Sequence, residues 1–304
     1  MIRVVIFSFD RAMQLDLLLQ SIEEFDIRRV FSVNVLFTCS TDTYQIAYDG
    51  LKNKYPHIQW VQEHRYEKHK INYQFNFGYW HNLYWWMKSA LFRVNKSNFK
   101  SCLSEVLSAG NKYPFTMFLT DDSIFYNEIF IPEACLEKIK QQPEKYSFSF
   151  RHGLNLQGGI FREKADYIVW NVYENDAQTD WGYPFSVDGH VYGSSTIYRI
   201  IHKILLTNPN TMEGNIAGYA TEKKIFPLIM ASKQSCLAGF ELNRVQSVSN
   251  NHHWDISQEK LNRYYLDGFS LEIGFNSKNV KYFRPEIQSL AVIKENEKIN
   301  LWNQ

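Results

Sequence analysis

Asp121 and Asp122 stand side by side at the end of an apolar run, in FTMFLTDDSIF at residues 115–125. Adjacent carboxylates repel, and neither gains from burial without a positive partner. A divalent cation would supply one, because Mg2+ and Mn2+ prefer carboxylate oxygens and share coordination with substrate phosphates. The simpler alternative is that Asp122 caps a following helix. Other residues able to do chemistry lie far off along the chain. SFSFRHG puts Arg151 just after an apolar run, VDGHVYGSSTIYR carries Asp188 and Arg199, and NPNTMEG carries Glu213. Glu213 has its own simpler alternative, a carboxylate complementing a helix N-terminus. NNHHW holds His252 and His253. A neutral imidazole is a ligand for Mn2+, and on extended backbone two adjacent histidines point to opposite sides, so one of the pair would serve.

These residues meet only if the fold gathers them. Residues 3–9 (RVVIFSF) read as a buried parallel strand, followed by Asp10, Arg11 and an amphipathic helix carrying Leu15, Leu18, Leu19 and Ile22. The pattern repeats with a strand at 32–38, a polar turn at 39–42 and a helix at 43–54. A third strand is expected at 58–62, helices over 76–92 and 95–111, and a further strand at 115–119. Later strands are expected at 146–150 and 168–173, a strand running into a helix over 191–204, and a helix over 221–231. Alternating units of this kind imply an α/β fold, a mostly parallel sheet with helices on its faces, whose ligands bind at the carboxyl ends of the strands. Asp10, Ser40, Asp42, Asp121 and Asp122 would collect on that edge. One domain over 1–250 is expected, divided at 126/127 into two halves, with a C-terminal extension over 251–304.

The order of these features resembles the family 2-like glycosyltransferases of the GT-A fold. The resemblance rests on the first strand entering RVVIFSFDRAMQLDLLLQSI, then Asn76-x-Gly78 and Asn82 ahead of a helix, then a strand ending in Thr120-Asp121-Asp122. That triplet departs from the family's DxD signature in its first position. The resemblance implies a nucleotide-sugar site with Mn2+ or Mg2+ on Asp122, completed by His252 or His253. It puts Asp121 toward the ribose or the metal's water shell. Phe9, Asp10, Arg11, Ser40, Asp42, Asn76 and Asn82 would cradle the nucleotide, with Arg11 as a bidentate phosphate donor, and Arg151 would lie near the donor sugar. Glu213 is the first candidate for the base that deprotonates the acceptor hydroxyl, and Asp188 the second. Trp181 would line the acceptor groove. The implied reaction moves a sugar from a UDP- or GDP-linked donor to a glycan or lipid-linked acceptor, with inversion expected.

The composition fits this reading. Aromatic residues make up 16% of the 304 residues, a content suited to stacking on sugar faces, and the formal net charge of +1 gives no footprint for nucleic acid. The four cysteines form no CxxC, so free thiols in a reducing compartment are expected. The opening MIRVVIFSF lacks the features of a signal peptide, and no apolar run approaches the ~18 residues of a membrane span. A cytoplasmic protein is expected, with peripheral contact at the inner face of a membrane left open. Two other classes remain: a sugar nucleotidyltransferase, though the first loop FDRAMQL lacks glycine, and a non-catalytic carbohydrate-binding protein on the same scaffold.

Overall fold

The structure, a computed structural model, describes residues 1–64, 97–108, 112–243 and 256–301. Its chain runs β1 (Ile2–Phe9), α1 (Ala12–Phe25), β2 (Phe31–Thr38), α2 (Asp42–Lys54), β3 (Gln59–Gln62) and α3 (Phe99–Ser108). There follow β4 (Phe115–Thr120), β5 (Ser123–Phe125), α4 (Glu133–Gln141), β6 (Tyr146–Ser149), β7 (Arg162–Glu163) and β8 (Tyr167–Asn171). The remainder is β9 (His190–Gly193), α5 (Ser194–Lys203), α6 (Pro209–Lys223), β10 (Leu228–Ser232), β11 (Leu237–Gly239), α7 (Gln258–Leu266), β12 (Ser270–Phe275), β13 (Ile287–Lys294) and β14 (Glu297–Asn300).

A nine-stranded sheet in the order β3-β2-β1-β4-β9-β6-β10-β8-β7 organises the molecule. The strands β1 to β4 are mutually parallel, and β10 is parallel to β6. Within this sheet β8 and β9 run against the others. Covering both faces is what allows β1 to be mostly apolar. Val4 and Ile6 pack on one face with Leu15, Leu18 and Leu19 of α1 and Tyr48 and Leu51 of α2. Val5 and Phe7 pack on the other with Phe99 and Leu103 of α3, Ile197 and Ile201 of α5 and Met212 and Ile216 of α6. Each such large apolar side chain contributes about 1.5–3 kcal/mol by leaving water.

The α/β class and the parallel units of the first half are as expected. The helix expected over 221–231 is not. The chain is helical over Pro209–Lys223 and then forms β10, buried between β6 and β8. Asn208 starts the helix with a capping box to Thr211, and Pro209 occupies its first turn, while Lys224 ends it in the left-handed region at φ 52°. The short run LIMAS was therefore a buried strand rather than a helix continuation, an ambiguity that periodicity cannot resolve at this length. The C-terminal residues, weakly periodic in sequence, form α7 and the antiparallel sheet β12-β13-β14. Leu271, Leu290 and Val292 of that sheet share a core with Met13, Ile229 and Trp170, so the segment packs against the main sheet's layers. No helix among the described residues is long and apolar enough to cross a membrane.

Candidate active site

The carboxyl ends of β1, β2, β4 and β6 lie on one edge of the sheet. Because β9 runs the other way, the residues entering it arrive at the same edge. This brings Asp10, Ser40, Asp121, Asp122, Arg151 and Asp188 to neighbouring positions from distant parts of the chain.

The acidic pair is met by a positive group from the protein itself. Arg11 Nη1 donates to Asp121 Oδ1 at 3.0 Å and to Asp122 Oδ2 at 2.9 Å. Arg11 Nε donates to Asn243 Oδ1 at 2.8 Å, and Nη2 donates to the Asn243 carbonyl. The other oxygen of Asp121, Oδ2, accepts from Ser8 Oγ at 2.8 Å and from the Phe9 N–H at 3.2 Å. A relay supports this arrangement: the Arg11 N–H donates to the Tyr48 hydroxyl, which bonds Ser8 Oγ. Asp121 is buried, and burial pushes its carboxyl up to about 6 against the pull of Arg11, with Asp122 adding to the rise. Burial opposes the charge on Arg11, but the two carboxylates more than offset it and hold its pKa above the ordinary arginine value. Asp122 differs from its neighbour in being partly open, with 19% of its side chain exposed. No helix follows it; β5 begins at Ser123, so the capping alternative does not apply.

A second arginine–carboxylate contact lies across the edge. Arg151 Nη1 donates to Asp188 Oδ2 at 2.7 Å, and Thr120 Oγ1 donates to Asp188 Oδ1 at 3.0 Å. Thr120, the departure from the DxD pattern, thus links the acidic strand end to Asp188. Burial raises the Asp188 carboxyl, Arg151 pulls it down, and the nearby Asp122 pushes it up again. Glu213 projects from the second turn of α6, outside the helix's first turn, so the helix-dipole alternative falls away. Its Oε1 accepts the Val187 N–H at 3.0 Å, beside Asp188. Burial first, and then Asp188, push the Glu213 carboxyl up to about 7.

Several expected residues have duties different from those expected. Asp10 accepts the Ser40 N–H at 2.8 Å from a left-handed backbone at φ 55°, so it ties the β1 loop to the β2 loop. Ser40 is exposed, Phe9 is half-buried, and Asp42 opens α2. Arg11 donates to protein acceptors where a phosphate contact was expected. Trp181, expected in the acceptor groove, is 1% exposed. It packs on Trp170 and Phe161 and donates from Nε1 to Gln157, so it is a core residue. Asn76, Gly78, Asn82, His252 and His253 lie outside the described residues.

Other neighbours of the site leave no sign in the sequence. Glu241 pairs with Arg284 at 2.6 Å, and its carboxyl is raised by burial and by Asp122. The Phe283 ring lies 5.5 Å from the Arg151 guanidinium, its carbonyl accepts the Gly239 N–H, and Tyr282 beside it is 61% exposed. Tyr282, Phe283 and Arg284 come from the weakly periodic C-terminal part, Glu241 follows β11, and no spacing in the sequence links them to the acidic pair. Among the described residues no group of three or more His, Cys, Asp or Glu is arranged to hold a metal ion. The donor set at the edge suits a site of another kind: one partly open carboxylate, Asp122, completed by phosphate oxygens, as is common for Mg2+.

No protein-family model matches the chain. Its sequence is similar to the bifunctional glycosyltransferase pgtA of Dictyostelium discoideum, 24% identical over 295 residues, covering 84% of this chain and 33% of that one. The chain therefore spans about a third of the length of this curated relative. Among solved structures, S. aureus TarS residues 1–349 superpose with a TM-score of 0.42 at 13% identity, over 78% of this chain and 59% of that one. The same protein in complex with UDP-GlcNAc gives a TM-score of 0.39 at 12% identity, over 78% of this chain and 57% of that one. The resemblance drawn from the sequence stands: the chain has the mixed α/β, mostly parallel architecture expected of a GT-A fold, and its sequence is similar to that of a glycosyltransferase.

Proposed function

We propose that this chain transfers a sugar from a nucleotide-diphosphate donor to a hydroxyl of a glycan or glycolipid acceptor. The observation that carries the reading is the convergence of Asp122, Asp188 and Glu213 at the carboxyl edge of the sheet, where ligands of such folds bind. Similarity to a named glycosyltransferase supports it. The nucleotide occupies the loops after β1 and β2, around Phe9, Ser40 and Asp42. Asp122 is the residue that would hold Mn2+ or Mg2+, and such a cation would supply positive charge to offset that on the departing nucleoside diphosphate.

The acceptor hydroxyl loses its proton to Glu213 as its oxygen attacks the anomeric carbon. The bond from that carbon to the diphosphate oxygen breaks, and the configuration inverts. Glu213 suits the task because a carboxyl raised to about 7 is poised near neutral pH. Asp188 suits it less well, since both its oxygens already accept, from Thr120 and from Arg151. Asp188 with Arg151 instead shapes the sugar pocket between base and cation. Tyr282 and Phe283 take the acceptor-packing part that Trp181 cannot.

Thermal melting with UDP and GDP, with and without Mn2+, tests the reading. A metal-dependent rise in melting temperature is expected, since a ligand at about 100 times its Kd adds about 2.7 kcal/mol of apparent stability. No shift with either nucleotide, and no release of nucleotide from any of a panel of nucleotide-sugars, would overturn it.

A further inference from the structure

The Arg11 guanidinium is held where a cation shared by the two aspartates would lie. It touches both carboxylates through one nitrogen, at 3.0 and 2.9 Å, and its remaining contacts anchor it to Asn243. Its own backbone is fixed as well: its carbonyl accepts the first-turn bond from Leu15, and its N–H is bound to Tyr48. With its side chain 6% exposed, Arg11 has no route into solvent that keeps these bonds. Arg11, Asp121 and Asp122 together carry one positive and two negative charges, net −1. A divalent ion approaching Asp122 in the free protein therefore meets an acidic pair whose charge Arg11 has cut from −2 to −1, and one carboxylate oxygen already in use. Asp121 is the poorer ligand of the two, because it is buried and both its oxygens already accept, Oδ1 from Arg11 and Oδ2 from Ser8 and Phe9.

We propose that Arg11 is a built-in cation at the acidic pair, which makes uptake of a divalent ion depend on a nucleoside diphosphate. The diphosphate supplies the negative charge and the oxygens that Arg11 withholds, so ion and nucleotide bind as a unit. Arg11 is here a positioning residue, acting through Asp121 and Asp122. The inference rests on the function proposed above and adds an order to its binding steps.

The test is a titration of Mn2+ followed by electron paramagnetic resonance of the free ion, on the whole chain, alone and with UDP or GDP. The wild type is expected to bind Mn2+ about ten-fold or more tightly when nucleotide is present, within the usual range of coupling between sites. Arg11→Gln is expected to bind Mn2+ alone about ten-fold more tightly than the wild type, so that the coupling collapses. Arg11→Lys retains the charge and is expected to keep the coupling, which a purely structural part for Arg11 would not require. Asn243→Ala, which loosens Arg11 without removing it, is expected to fall between. Wild-type affinity for Mn2+ that ignores nucleotide, or equal affinities of wild type and Arg11→Gln for Mn2+ alone, would overturn the proposal. If Arg11→Gln does not fold, an unchanged affinity in Asn243→Ala overturns it. Failure of the wild type to take up Mn2+ even with nucleotide would instead remove the proposed function.

Discussion

Two arginine–carboxylate contacts face each other across the edge of the sheet, Arg11 with Asp121 and Asp122, and Arg151 with Asp188. The first is closed. Arg11 Nε is met by Asn243, and Asp121 accepts three hydrogen bonds. The second is open. Arg151 Nε is buried with no partner among the described residues, its guanidinium lies against Phe283, and Asp188 is 30% exposed. The same pair of chemical groups thus serves two ends. A saturated pair fixes a backbone, here the junction of β1 with β4, whereas an unsaturated one leaves hydrogen-bonding capacity for a ligand. On the function proposed above, this criterion assigns the donor sugar to the Arg151 side and Asp121 to the frame.

Five substitutions would break or sharpen the contrast. The largest effect is expected from Asp122→Ala, which removes the one partly open carboxylate of the closed pair. Transfer should vanish, and the Mn2+-dependent rise in melting temperature with it; a metal-dependent shift that survives would move the cation elsewhere. Next, Glu213→Gln should lower kcat by about 10²–10⁴-fold, the range of general base catalysis. In the wild type the rate should climb as pH rises through about 7, because the base acts deprotonated, and in the variant that limb should flatten. Stability should move oppositely. A carboxyl raised in the folded state is protonated there more readily than in the unfolded chain, so the wild type loses stability as pH rises toward about 7, and Glu213→Gln should not.

Third, Arg11→Met should cost about 3–5 kcal/mol in denaturant melts, by leaving a buried carboxylate unpaired. Arg151→Met should cost less, because the partly exposed Asp188 can turn to water. Equal costs would erase the distinction between frame and site. Smallest is Thr120→Val, which removes one hydrogen bond to Asp188 for about 1 kcal/mol and should raise donor KM more than it lowers melting temperature.

Much of the frame was legible because it is local. RVVIFSF, SVNVLFT and FTMFL read as strands of a mostly parallel sheet, and each is one, since strands covered on both faces are predominantly apolar. That logic also put Asp121 and Asp122 on the right edge. It could not name their counter-charge. Arg11 was read as a ligand for phosphate, because nothing in the sequence links it to Asn243, more than two hundred residues away. Glu213 and Asp188 were rival candidates for one task, and the Val187 N–H shows them to be neighbours. Trp181 misled for a plain reason: an indole serves a core as well as a sugar face, and only burial decides which. The run 221–231 misled because LIMAS suits a buried strand and a buried helix alike.

The reversed direction of β9 has a practical consequence for anyone altering this protein. Its register is pinned on both sides, Val191 lying opposite Met117 and also opposite Phe148, and Gly189 just before it sits at φ 76° against Leu237. The connection that delivers Asp188, residues 172–186, therefore ends at a fixed anchor. Only its exposed stretch, residues 176–180, can be exchanged, as in a loop graft, because Val172, Trp181 and Phe185 are buried, while the residues the anchor presents stay in place. On the function proposed above, that stretch is where acceptor preference is open to redesign, with residues 1–126 left untouched.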